Sequence, residues 1–202
     1  MSGYTSERRH QQAQATRRDI VAAARRLFAE RGYAATSMAD IAHAAGVAVQ
    51  TIYASCGSKR EIVLALVDAI DEEADVGSLA QEITTSDQPG EILALGVRLT
   101  RQLHERCGDI IAALLSAAAV EPDAAAAMSE GKRRHRDGCA RAAQRIGGLG
   151  GLRDDVSADE AGALIAAFTW QPVYAQLRSE HGWTLDECER QLTVALARAL
   201  LR

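Results

Sequence analysis

Between Ser37 and Lys59 the chain reads "SMADIAHAAGVAVQTIYASCGSK", and its two glycines, Gly46 and Gly57, confine any helix to pieces of about two turns. Ser37 and Asp40 have the spacing of a capping box that opens the first piece, whose inner side would carry Met38, Ile41, Ala42 and Ala45. Gly46 suits the turn that follows, because left-handed backbone there costs a non-glycine residue about 1 kcal/mol. Val49 to Ser55 forms the second piece before Gly57 stops it, and Ser58 caps the next helix, "KREIVLALVDAIDEE". Helices this short are unstable alone in water, so both pieces must be held by packing on their neighbours. One neighbour is "TRRDIVAAARRLFAERG", where Ile20, Ala23, Ala24, Leu27 and Phe28 recur at helical spacing. Two short helices joined by a glycine turn make a helix-turn-helix.

The rest of the chain also reads as helix, at about 89–106, 109–119, 122–146, 158–181 and 185–201, which gives an all-α protein of about nine helices. "DEEADVGSLAQEITTSDQPG" reads as a connection, and "GGLGGLRDD" as a separator. Capping-box spacing at Ser157–Glu160 and Thr184–Glu187 marks the starts of the last two helices, and Pro172 should kink the helix it falls in. A chain of 202 residues holds at most two domains, assigned to residues 14–62, with the fourth helix continuing to about 75, and to residues 76–202.

Charge is divided unevenly. Residues 1–60 hold nine Lys/Arg against four Asp/Glu, and residues 61–202 hold fourteen against twenty-three. A basic head on an acidic body points to a polyanion met by the head alone. No apolar run approaches the ~20 residues of a membrane span, and the first residues lack the apolar segment of a secretory signal, so a soluble, cytoplasmic protein is expected. The cysteines Cys56, Cys107, Cys139 and Cys188 are far apart, and His10, His43, His104, His135 and His181 show no ligand spacing. No metal or cofactor is expected, and packed thiols are the plain reading of the cysteines, with a redox pair of Cys107 and Cys139 as the alternative. No serine lies on a nucleophile elbow, and "GGLGG" follows a helix rather than a strand, so an enzyme is not expected.

"IVAAARRLFAERGYAATSM", "IAHAAGV", "TIY" and the "SK" that opens the fourth helix together resemble the tetracycline-repressor (TetR) family of transcriptional regulators, most specifically over residues 17–66. Where that family usually follows its tyrosine with histidine and phenylalanine, this chain has Ala54, Ser55 and Cys56. Where the family usually caps the third helix with serine, it has Ala48. "HGWTLDECERQL" is similar to the junction before the family's last helix.

The resemblance implies a regulator, most simply a repressor, that binds a palindromic operator in double-stranded DNA as a homodimer and is released by a small effector. Val49 to Ser55 becomes the recognition helix, and the DNA-binding set is Ser37, Val49, Gln50, Thr51, Tyr53, Ser55 and Lys59. The amide of Gln50 can donate to and accept from an adenine edge, Val49 can meet a thymine methyl, Thr51 and Tyr53 offer hydroxyls to phosphate, and Lys59 offers charge. Packing of the Tyr53 ring beneath its helix is the alternative for that residue.

By the same resemblance the last two helices form the dimer. Leu192, Leu196 and Leu200 make an apolar stripe on the final helix, joined by Leu164, Phe168 and Tyr174 from the helix before it. A mainly apolar effector would lie inside the second domain near Leu103, Leu115, Met128, Phe168 and Trp170, with His104 as a polar contact. A constitutive DNA-binding protein without effector, and a helical enzyme with an unrecognised site, remain as other readings.

Overall fold

The computed structural model describes the backbone of residues 2–202 and the side chains of residue 8 and residues 10–202. Among the described residues eleven helical segments follow one another: α1 (Ser2–Arg31), α2 (Met38–Ala45), α3 (Val49–Cys56), α4 (Lys59–Asp68), α5 (Ile70–Glu73), α6 (Val76–Thr85), α7 (Pro89–Ala118), α8 (Pro122–Gly148), α9 (Ala158–Phe168), α10 (Gln171–His181) and α11 (Leu185–Leu200). Among the described residues the only extended pairing is an isolated antiparallel bridge between Leu152 and Leu201. The protein is all-α.

The chain divides into two compact units: the residues up to Ile70 with Asp109–Ser129, and Asp71–Gly108 with Glu130–Arg202. In the first unit, Ile20, Ala23, Ala24, Leu27 and Phe28 of α1 are buried, as are Ile41 and Ala42 of α2, Ile52 and Cys56 of α3, and Ile62, Val63 and Leu66 of α4. The two short helices thus bury one side each, which is what their length requires. Polar bonds add to this unit. Arg25 is bidentate to Asp109 at 2.5 and 2.8 Å, the Tyr33 hydroxyl donates to Glu121 Oε1 at 2.9 Å, and Arg60 pairs with Asp123. Burial pushes the Asp109 carboxyl up, but the bond and charge of Arg25 outweigh it and hold that carboxyl below its ordinary range.

The second unit is built on Ile92, Leu93 and Val97 of α7, Ala142, Ala143 and Ile146 of α8, Ala161 and Ile165 of α9, Tyr174 of α10, and Cys188, Leu192, Leu196 and Leu200 of α11.

All four Ser/Thr caps are present as capping boxes, at Ser37–Asp40, Ser58–Glu61, Ser157–Glu160 and Thr184–Glu187. Other boundaries differ from the sequence reading. The expected helices at 89–106 and 109–119 are one helix, α7; Cys107 and Ile110 are both buried beside Gly108, and that packing outweighs the cost of about 1 kcal/mol for a mid-helix glycine. The expected helix at 158–181 is two, α9 and α10. Pro172 lies in the first turn of α10, where its missing N–H would have had no helical partner, so it starts a helix rather than kinking one. The connection after the fourth helix contains α6, anchored by buried Leu79. Helix α1 begins well before residue 16.

Candidate nucleic-acid interface

Helix α3 has eight residues. Ile52 and Cys56 are buried, while Val49, Gln50, Tyr53 and Ala54 are exposed, a spacing that gathers them on one outward face. Tyr53 is 56% exposed, so its ring does not pack beneath the helix. Thr51 is half-buried beside them. An eight-residue helix is about 12 Å long and, with its side chains, about as wide as the major groove of DNA. Ala48, in the capping position, makes no side-chain bond, so the first N–H groups of α3 have no side-chain cap.

Besides the buried Ile52 and Cys56, what holds α3 lies at its flanks. Gly46 ends α2 in left-handed backbone (φ 66°, ψ 31°), and its N–H bonds back to the carbonyls of Ala42 and His43. Gly57 ends α3 at φ 74° and ψ −135°, a conformation that side chains rarely adopt. At the far end, Arg17 of α1 donates from Nη1 to the carbonyl of Ser55 at 2.5 Å, placing a cation at the helix C-terminus. Around this end lies an open cleft of about 420 Å³ lined by Arg17, Ser55, Cys56, Gly57, Glu61 and Asp68 among others.

Two residues expected at DNA make hydrogen bonds inside the unit. The Ser37 hydroxyl serves the α2 cap: it accepts from Asp40 N at 3.1 Å and donates to Asp40 Oδ2 at 2.5 Å. The Lys59 ammonium points inward, donating to the carbonyls of Tyr33 and Thr36 at 3.1 and 2.9 Å and lying 4.2 Å from the Tyr33 ring centre.

The expected effector residues are shared between the units. Leu115 and Met128 belong to the first, whereas Leu103, His104, Phe168 and Trp170 belong to the second. Leu115 and Phe168 are exposed, at 42% and 45%. His104 stacks on Tyr174 with ring centres 4.6 Å apart, and burial, then the charge of Arg178, pushes its pKa down to about 4. Trp170 lies 5.4 Å from the His135 ring, whose Nε2 is 3.1 Å from the Ala166 carbonyl.

The expected dimer stripe is likewise divided. Leu192, Leu196, Leu200 and Tyr174 are buried in the second unit's own core, which corrects their placement on an outer face; Leu164 and Phe168 are exposed, and Val194 joins them as an exposed apolar residue of α11.

Residues 20–66 match the family model described as bacterial regulatory proteins, tetR family. This stretch is a tetR-type regulatory domain. Over 75 residues it is 44% identical to the HTH-type transcriptional regulator TtgR of Pseudomonas putida, a match covering 37% of this chain and 36% of that relative. The chain thus spans about a third of the length of the curated relatives it matches. The fold reaches further. The SmeT–triclosan complex superposes with a TM-score of 0.73 at 22% identity over 93% of this chain and 92% of that one. NalD, the secondary repressor of the MexAB-OprM multidrug efflux pump in Pseudomonas aeruginosa, superposes at 0.74 and 20% identity over 95% and 98%.

The first unit supplies two interactions that sequence reasoning missed. Arg17 meets Ser55 across 38 positions, and Tyr33 meets Glu121 across 88. Neither pair has a sequence signal, since only tertiary packing brings the partners together. Val194 had one: it lies on the side of α11 opposite the buried Leu192 and Leu196.

Proposed function

We propose that this tetR-family protein is a transcriptional repressor. It binds a palindromic operator as a homodimer in the cytoplasm and is released by a small, mainly apolar effector. The observation that carries the reading is the outward face of α3, with Val49, Gln50 and Tyr53 exposed over a buried Ile52 and Cys56. Gln50 reads a base edge, Val49 contacts a methyl group, and Thr51 and Tyr53 contact phosphate. Residues 14–62, with α4 and then α5 leading on to about 75, form the DNA-binding domain, and 76–202 the effector and dimer domain.

The twofold interface uses α9 and α11 through Leu164, Phe168 and Val194, an apolar set that the subunit itself leaves uncovered. Two recognition helices held ~34 Å apart, or a little more, would then enter successive major grooves. For the effector, support comes from the triclosan complex of SmeT and from the efflux-pump repressor NalD, which share this fold. His104 and Trp170, with Leu103, offer aromatic and apolar surface for such a molecule in the second unit. Coupling of about 1–3 kcal/mol between the two sites would change operator affinity about 5–150-fold.

The test is selection of binding sites from random duplex DNA, followed by anisotropy titration with and without triclosan as first probe. Enrichment of a palindrome, with loss of base preference in Gln50→Ala, is expected. Binding without sequence preference would sink the repressor reading, and operator affinity insensitive to a panel of apolar probes would sink the effector.

A further inference from the structure

Lys59 is the first residue of α4 and carries the positive charge nearest in sequence to the recognition helix. We infer that Lys59 is a positioning residue rather than a phosphate ligand: its ammonium locks the start of α2 to the start of α4 and thereby sets the pose of α3, a role that rests on the DNA-binding function proposed for this helix.

The ammonium has three protons, and two are given to the carbonyls of Tyr33 and Thr36 at 3.1 and 2.9 Å. The same cation lies 4.2 Å from the Tyr33 ring centre, where the face of the ring attracts it. To reach a phosphate, Lys59 would have to break charge-assisted bonds that are already made.

The turn that Lys59 grips is itself anchored. Thr36, 1% exposed, donates from Oγ1 to the Gly32 carbonyl at 2.9 Å. Tyr33 donates its backbone N–H to Ser116 Oγ at 3.1 Å and its hydroxyl to Glu121 at 2.9 Å. Burial, followed by the bond to and charge of Glu121, holds the Tyr33 phenol well above its ordinary pKa, so it remains a neutral donor.

Thr36 directly precedes Ser37, the cap of α2, and Lys59 directly follows Ser58, the cap of α4. One side chain therefore joins the two helix starts that flank α3. Between them, α3 rests on its buried Ile52 and Cys56 and on the Arg17–Ser55 bond, but it is joined to its flanks through Gly46 and Gly57, residues of wide backbone freedom, and it has no N-cap bond of its own. With its flanks fixed, α3 has one orientation; with the lock open, the glycine joints let it swing, and base contacts depend on orientation more than phosphate contacts do.

The experiment compares wild type, Lys59→Met and Lys59→Gln by operator anisotropy over a KCl series, and by amide hydrogen exchange of the DNA-free protein. If Lys59 bound a phosphate in each subunit, its neutralisation would flatten the slope of log affinity against log salt by about 1.8 and leave exchange unchanged. The lock predicts the opposite. The slope of Lys59→Met stays close to wild type, operator affinity falls about tenfold while non-specific affinity changes little, and amides of residues 33–45 exchange about tenfold faster. Lys59→Gln, a neutral donor, should recover part of that protection without recovering charge, and it carries both measurements if Lys59→Met does not fold. A slope reduced by about 1.8 with exchange unaltered overturns the inference. Wild-type protein that shows no salt-dependent DNA binding would defeat the DNA-binding reading instead, and the exchange comparison would still decide whether Lys59 holds the turn.

Discussion

On α3 the side chains turned to solvent are Val49, Gln50, Tyr53 and Ala54, over a buried Ile52 and Cys56; on α9 they are Asp159 and Glu160 in the first turn and then Ala163, Leu164, Ala167 and Phe168, over a buried Ala161, Gly162 and Ile165. Each helix buries one side in its own unit, but the outward side of α3 carries an amide and a phenol among small apolar groups, whereas that of α9, beyond the acidic first turn of Asp159 and Glu160, carries no hydrogen-bonding side chain. A face with hydrogen-bonding groups and little apolar area suits a polar, hydrated partner such as a groove of DNA. A face of alanine, leucine and phenylalanine gains most from another apolar surface. The caps differ in the same sense. Helix α9 begins with a complete Ser157–Glu160 box, while α3 begins at Ala48 without one and depends on neighbours for its position. The helix with the polar face is thus fixed from outside itself, and the helix with the apolar face from within.

The largest effect expected is on the apolar face. Leu164→Asp with Phe168→Asp should weaken the dimer by about 4 kcal/mol or more, since two apolar anchors would each bring an unpaired charge into the interface. Light scattering against concentration measures it, and an unchanged dimer would break the contrast between the two faces.

Leu196→Ala tests the buried side instead. Leu196 is 2% exposed within the subunit, so its truncation should cost about 3–5 kcal/mol of unfolding free energy by urea titration, while leaving dimer affinity much less affected than the double aspartate variant.

Acid should loosen the second unit before the first. The His104 pKa is about 4 in the folded protein against an ordinary 6.5, so the unfolded chain takes up the proton first. That contribution is whole above pH 6.5 and is lost as pH falls toward 4, for a total of about 3 kcal/mol. His104→Gln should flatten this limb in urea midpoints measured at several pH values; an unaltered limb would show that His104 is not its source. The capping carboxylates of the first unit, Asp40 and Glu61, are held below their ordinary range by the Ser37 hydroxyl and by the Ser58 N–H respectively. Their contribution is present above the usual carboxylate range and is lost at lower pH than that of His104.

The smallest effect sharpens the contrast in caps. Ala48→Ser should supply the missing N-cap and stabilise the first unit by about 1 kcal/mol, seen as slower amide exchange along α3. No change in exchange would mean that the flanks already hold the helix fully.

What could be read from the sequence was local. The three capping boxes, the Ser58 cap, the glycine stops at Gly46 and Gly57, and the inward residues Ile20, Ala23, Ala24, Leu27 and Phe28 of α1 and Ile41 and Ala42 of α2 follow from spacing and backbone preference within a few positions, and all are found in the structure. The union of two expected helices across Gly108, and the division of another before Pro172, were not legible. In both cases a propensity worth about 1 kcal/mol or a missing hydrogen bond was set against packing by residues distant in the chain. The dimer stripe shows the same limit: a periodic row such as Leu192, Leu196 and Leu200 reveals an apolar side but not what covers it, and here the core of the same subunit does. The direction of the Lys59 ammonium was the hardest to foresee. Sequence determined that a lysine begins α4, but its partners Tyr33 and Thr36 lie 26 and 23 positions away, and only the packed turn brings their carbonyls within reach of a cation that would otherwise face solvent.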